Sequence, residues 1–143
     1  MILISHRGNI SGKDKTSENN PKYILNALNL GYEAEVDVWE YKEKLYLGHD
    51  EPSYLLDKEI LVNKSRLWVH AKNLNALEIV RKFNLHYFWH QEDDITITSK
   101  GYWWTYPGKK LFPNSICVLP EKSNYKKINC AGICSDYIES YKN

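Results

Sequence analysis

The sequence predicts an α/β domain with largely parallel strands, a reduced TIM-type (β/α) barrel that lacks several outer helices. Three observations carry this. Short apolar runs alternate with helical periodicity through the first two thirds of the chain. Polar, titratable residues stand just past one strand after another, at His6, Asp37, Lys72, His90, Glu121 and Asp136, as they do on the active face of such a barrel. The length, 143 residues, falls well short of the ~250 of a full eight-fold barrel. An open doubly wound sheet is the alternative arrangement of the same elements.

The elements follow in order. Ile2 to Ser5 is an apolar run stopped at His6 by charge and glycine, a buried strand. Residues 8–18 are polar and form a loop. Asn19 or Asn20 caps a helix that accepts Pro21 in its first turn, carries Tyr23, Ile24, Ala27, Leu28 and Leu30 at helical spacing, and ends at Gly31. Ala34, Val36 and Val38 then alternate with Glu35, Asp37 and Trp39, so Glu35 and Asp37 share one face of a strand. Leu45 to Leu47 is a short strand followed by Gly48, His49 and Asp50, and Asp57 to Lys64 a brief helix. Leu67 to Ala71 is a strand, and Asn73 caps a helix with Leu74, Leu77, Ile79, Val80 and Phe83 on its apolar positions. His86 to Trp89 is the next strand. Ile95 to Thr98 and Tyr102 to Tyr106 form a hairpin around Lys100 and Gly101, and Ile116 to Leu119 and Gly132 to Ser135 are the last strands.

Composition narrows the function classes. A chain that is 43% hydrophobic and 26% charged forms one globular domain, residues 1–143, and a net charge of +1 gives no general attraction to nucleic acid or a membrane surface. Cys117, Cys130 and Cys134 lack the spacing of a disulfide framework and are expected as buried thiols, with half a zinc site at Cys130 and Cys134 as the sharper alternative. The run Met1 to Ile4 is too short for a signal peptide, and no stretch reaches the ~20 apolar residues of a membrane span, so the expectation is a cytoplasmic protein.

The chemistry-bearing residues crowd into the first fifty positions. Two carboxylates on one strand face repel each other unless a positive charge lies between them, which makes Glu35 and Asp37 candidate metal ligands; the bland alternative is a solvated strand face. His6-Arg7 is either catalytic or a strand-end cap. His86 is expected to be structural, His90 to Asp94 either a solvated loop or a metal-capable cluster, and Tyr102 to Tyr106 either a stacking surface or core filling.

Four islands in this order, His6-Arg7-Gly8, Glu18-Asn19 before a helix, Glu35-x-Asp37 on a strand and His49-Asp50 after a short strand, resemble the N-terminal signature of the glycerophosphodiester phosphodiesterases, among the phosphatidylinositol-phospholipase-C-like barrels. The resemblance covers the first third and extends faintly to Lys72. It implies a phosphodiester hydrolase in which His6 and His49 form an acid/base pair. Arg7 and Lys72 would contact phosphate, Glu18 would line the metal or the substrate hydroxyls, and Glu35 and Asp37 would hold one divalent cation. Where that family carries a further glutamate, this chain has His70, read as a ligand or as a satisfied core histidine. The family implies Mg²⁺ or Ca²⁺, whereas imidazole suits Mn²⁺ or Zn²⁺.

The expected partner is a small phosphodiester, and a homodimer covering apolar strand surface left by missing helices is a further expectation. Two other functions fit the same residues: a catalytically inactive phosphate- or sugar-binding descendant of that family, and an interaction domain that uses its aromatic hairpin.

Overall fold

A computed structural model describes residues 1–142. Ten strands form one curled, mixed sheet, a half-barrel: β1 (Ile2–His6), β2 (Glu33–Tyr41), β3 (Lys44–Leu47), β4 (Tyr54–Leu55), β5 (Leu67–Ala71), β6 (Tyr87–Phe88), β7 (Ile95–Ile97), β8 (Trp103–Thr105), β9 (Ser115–Val118) and β10 (Gly132–Ser135). The described residues include three short α-helices, α1 (Pro21–Asn29), α2 (Lys58–Leu61) and α3 (Leu74–Lys82). Parallel pairing links β9, β10, β1, β2, β5 and β6, and also β8 to β9. Antiparallel pairing joins β3 to β2, β4 to β3 and β7 to β8.

This corrects the expected TIM-type (β/α) barrel. The sheet is mixed, and helices do not alternate with strands. Past β6 the connections, residues 89–94, 98–102, 106–114 and 119–131, hold no α-helix, and the shorter ones leave no room for the dozen or more residues of a helical crossover. The doubly wound alternative fails as well, because the helices pack on the outer face only and the inner face encloses a core of its own.

The strands sort their side chains by a period of two. Facing outward, Ala34, Val36 and Val38 of β2 and Leu67, Val69 and Ala71 of β5 meet Ile24 and Leu28 of α1, Ile60 of α2 and Ala76 and Val80 of α3. Facing inward, Ile4, Trp68, Phe88, Trp104, Ile116, Val118 and Cys134 form the interior core. Helices start where side chains can satisfy free amides: Asn20, Asp57 and Asn73 accept from Lys22, Ile60 and Ala76 N–H at 3.0, 3.1 and 2.9 Å. The outer side of β9 and β10 is covered by Ile10, Leu111, Tyr125, Ile128 and Ile138 instead of α-helices. The hairpin rings pack within the molecule, Trp104 against Phe88 at 4.6 Å and Trp103 against Phe112 at 4.8 Å. Among the described residues no helix is long and apolar enough to cross a membrane.

His86, expected to be structural, is 3% exposed, with Nε2 2.8 Å from Thr98 Oγ1 and its ring 4.0 Å from that of Trp68. Burial, assisted by the charge of Lys100, pushes its pKa down to about 4 from 6.5. The unfolded chain therefore binds the extra proton between these values, and stability that is full above 6.5 is lost as pH falls towards about 4. The melting temperature is expected to drop across that window, with a shallower drop in His86→Gln; equal slopes would refute the assignment.

Candidate functional site

The site forms where the C-terminal ends of β1, β2, β5 and β10 meet. Parallel register sets His6 beside Glu35, and Asp37 beside His70. All four side chains point inward, the two carboxylates because Val36 between them faces the helices.

Asp37 is the anchor, with no exposed surface. Its Oδ2 accepts from Asn19 Nδ2 at 2.9 Å and lies 2.9 Å from Arg7 Nε; its Oδ1 lies 3.0 Å from His70 Nδ1 and 3.7 Å from Lys72 Nζ. Its own N–H donates to Asn19 Oδ1 at 3.0 Å. Burial alone would raise its pKa, but the His70 hydrogen bond and the charges of Arg7, His70 and Lys72 hold it well below the usual carboxylate range. Arg7 and Asn19 reach it from left-handed backbone conformations, φ 55° and 62°. Of the two asparagines expected to compete for the cap of α1, Asn20 takes it and Asn19 serves Asp37.

His6 forms the second half. Its Nδ1 lies 2.6 Å from Asp136 Oδ1, and its Nε2 lies 4.0 Å from Glu35 Oε2. Asn9 Nδ2 donates both to Asp136 Oδ1 at 2.8 Å and to Glu18 Oε1 at 3.0 Å, and Glu18 Oε2 in turn accepts from Arg7 Nη1 at 3.2 Å. Burial would lift the Asp136 carboxyl, but the hydrogen bond and charge of His6 and the Asn9 amide hold it below its ordinary value. Glu35 goes the other way: burial and the Asp37 charge raise its pKa against the pull of His6, Arg7 and His70.

These groups border a cavity of about 570 Å³. Arg7, Lys13, Lys72 and Lys122 line it together with His6, His49, His70 and His90, against Glu35 as the one carboxylate among the described lining residues. Such a surface favours an anion. His49, on the turn after β3, is partly exposed on the rim, with Nδ1 2.7 Å from Asp50 Oδ1. Glu18 lines an adjoining cavity of about 390 Å³, and Asp37 lies behind Arg7, His70 and Lys72 and lines neither. His90 stacks on Tyr106 with ring centres 3.8 Å apart, and burial lowers its pKa. The structure thus brings His6, Arg7, Glu18, Glu35, Asp37, His49, His70 and Lys72 into one region. It adds Asn9, Asn19, Lys13, Lys122 and Asp136. Of these, Asp136 had a sequence signal, its place just past a strand, and Asn19 had two, as a cap candidate and in the Glu18-Asn19 island; Asn9, Lys13 and Lys122 are polar loop residues without a distinguishing pattern.

One oxygen or nitrogen from each of Glu35, Asp37 and His70 lies within 4.8 Å of the others, a spacing that can close around a cation. Glu35 Oε1 has no hydrogen bond among the described residues, whereas Asp37 Oδ1 lies 3.0 Å from His70 Nδ1 and 3.7 Å from Lys72 Nζ. Two carboxylates and an imidazole fit a transition ion better than Mg²⁺ or Ca²⁺. No family model, curated protein or solved structure matches this chain.

Replacing Arg7 by Met leaves Asp37 buried without its closest cation. Loss of one partner from a buried ion pair is expected to lower the unfolding free energy by about 3 kcal/mol, measured by urea titration.

Proposed function

We propose that the chain is a phosphodiester hydrolase, the activity implied by its resemblance to the glycerophosphodiester phosphodiesterases. The observation that carries this reading is the His6–Asp136 pair, aimed into a cavity where four cationic side chains face one carboxylate.

A phosphodiester is a stable anion, so its cleavage requires charge neutralisation, a nucleophile made by removing a proton, and a proton for the departing alkoxide. Asp136, ionised beside His6 Nδ1, accepts that N–H and leaves Nε2 as the basic nitrogen facing the cavity. His6 Nε2 takes the proton from a hydroxyl, either water or the neighbouring hydroxyl of the substrate. That oxygen forms the new bond to phosphorus as the bond to the leaving alcohol breaks. His49, held by Asp50 through Nδ1, delivers a proton to the leaving oxygen. Arg7 and Lys72 offset the charge on the phosphoryl oxygens. Glu35, Asp37 and His70 would hold one divalent cation, most suitably Mn²⁺ or Zn²⁺, which when bound supplies Lewis-acid stabilisation of the same charge.

A second reading, a phosphate-binding module without turnover, draws support from Arg7, whose guanidinium is already engaged by Asp37 and Glu18. Turnover separates the two. A panel of phosphodiesters assayed with each cation is expected to give hydrolysis that falls by about 10²- to 10⁴-fold in His6→Ala, and by a smaller factor in Asp136→Asn, which keeps the histidine and loses its orientation. Undiminished hydrolysis in His6→Ala would defeat the assignment, and binding without hydrolysis by any metal form would favour the module.

Cation binding is measured separately by thermal melting. Mn²⁺ or Zn²⁺ is expected to raise the midpoint more than Mg²⁺ or Ca²⁺ at equal concentration, with the rise lost in Glu35→Gln. An equal rise in that variant would place the ion elsewhere.

A further inference from the structure

A third cavity, of about 440 Å³, opens on the outer side of the sheet and shares no described lining residue with the two at the candidate site. Its inner part is Leu45, Leu61 and Leu85, the margin of the core beneath the helices. Val62 and Phe83 carry the apolar lining outward into water, 81% and 66% exposed. They occupy the C-caps of α2 and α3, where the backbone is served equally well by a polar residue. Single exposed apolar side chains need no explanation, but two that border one apolar hollow form a continuous surface that water solvates poorly.

The charges on this hollow have one sign. Lys58 and Lys64 line it, form no ion pair among the described residues, and meet no carboxylate among the described lining residues. In sequence they bracket Leu61 and Val62, so an apolar stretch lies between two free cations. An occupant that matches it is apolar along its length and negatively charged at an end. The dimensions favour a small one. The volume lies in the range of small-molecule sites, ~300–1,000 Å³. A stable protein interface takes roughly 20–30 residues a side, far more than line this hollow.

We propose that the hollow binds one single-chain anionic amphiphile, a long-chain carboxylate, with its chain against Leu45, Leu61, Val62, Phe83 and Leu85 and its charge drawn to Lys58 and Lys64. The chain removes the apolar lining from water, and the lysines select the sign of the head group. This site is separate from the candidate active site and does not depend on the phosphodiesterase reading.

Calorimetry on the full chain with sodium decanoate, sodium octanoate and decyltrimethylammonium bromide tests both halves. Decanoate is expected to bind about 10-fold more tightly than octanoate, the value of two buried methylenes. It is also expected to bind about 5-fold more tightly than decyltrimethylammonium, which has the same chain and the opposite charge. In Lys58→Gln/Lys64→Gln the preference for the anion should fall to near unity while the dependence on chain length remains. Val62→Ser/Phe83→Ser, at two exposed positions, should weaken decanoate about 10-fold, and the lysine pair keeps the test open if this variant does not fold. Three results overturn the proposal: no decanoate binding, equal affinity of wild type for the two head groups, or decanoate affinity unchanged in both double variants, which would place the anion elsewhere. Two further outcomes would assign the surface to another occupant. One is sedimentation with phosphatidylglycerol vesicles that is lost in Val62→Ser/Phe83→Ser while decanoate does not bind. The other is a dimer in analytical ultracentrifugation that the same variant dissociates, again without decanoate binding.

Discussion

The burial of one carboxylate, Asp37, is the constraint on which the site depends. A charge without solvent contact must be compensated by the chain, and here the compensation comes from separate segments: Arg7 after β1, Asn19 before α1, His70 on β5 and Lys72 just past it. Each segment is thereby fixed relative to β2. Removing the carboxylate would release all of them together, which is why its contribution belongs to the architecture of the cleft before it belongs to any reaction.

The same constraint explains the division of labour between the two carboxylates of β2. They differ by one strand period and share a face, yet their environments push their proton affinities apart. Asp37 is enclosed by cations and stays ionised, whereas Glu35 is buried with only the Arg7 amide donating to it, at 3.2 Å, and feels Asp37 as a like charge. One fixes the loops and the other faces the cavity as a group able to exchange a proton or meet a cation. The His6–Asp136 pair repeats the pattern on the neighbouring strands, with an ionised carboxylate behind and a titratable group in front.

Much of this was legible locally. Period-two alternation over 34–39 placed Glu35 and Asp37 on one face, the caps at Asn20, Asp57 and Asn73 followed from residue type, and the hairpin at Lys100 and Gly101 from strand propensity on either side. What escaped was decided by contacts distant in sequence. Asp136 stands next to His6 because β10 pairs with β1, a pairing that depends on strand order and leaves no local mark. Asn19 looked equivalent to Asn20 as a cap until its left-handed backbone turned the side chain towards Asp37. The expected barrel failed for a related reason. Strand spacing in the second half was visible, as was the shortage of outer helices, but nothing in the polar loops 106–114 and 119–131 announced that irregular chain, through Leu111, Tyr125 and Ile128, would cover the outer face.

The strained residues join these levels. A left-handed conformation at a residue other than glycine costs about 1–3 kcal/mol and persists only where surrounding contacts over-determine it. At Arg7 the over-determination is visible: its N–H donates to Glu35 C=O at 3.1 Å, and its guanidinium lies between Asp37 and Glu18. At Asn19 two hydrogen bonds to one aspartate do the same. These left-handed turns are the backbone from which Arg7 and Asn19 reach Asp37. The ion pairs around Asp37 thus offset the strain, and the strain is what aims the groups that form them; neither is stable without the other. That mutual dependence holds Arg7 and Asn19 in one arrangement around Asp37.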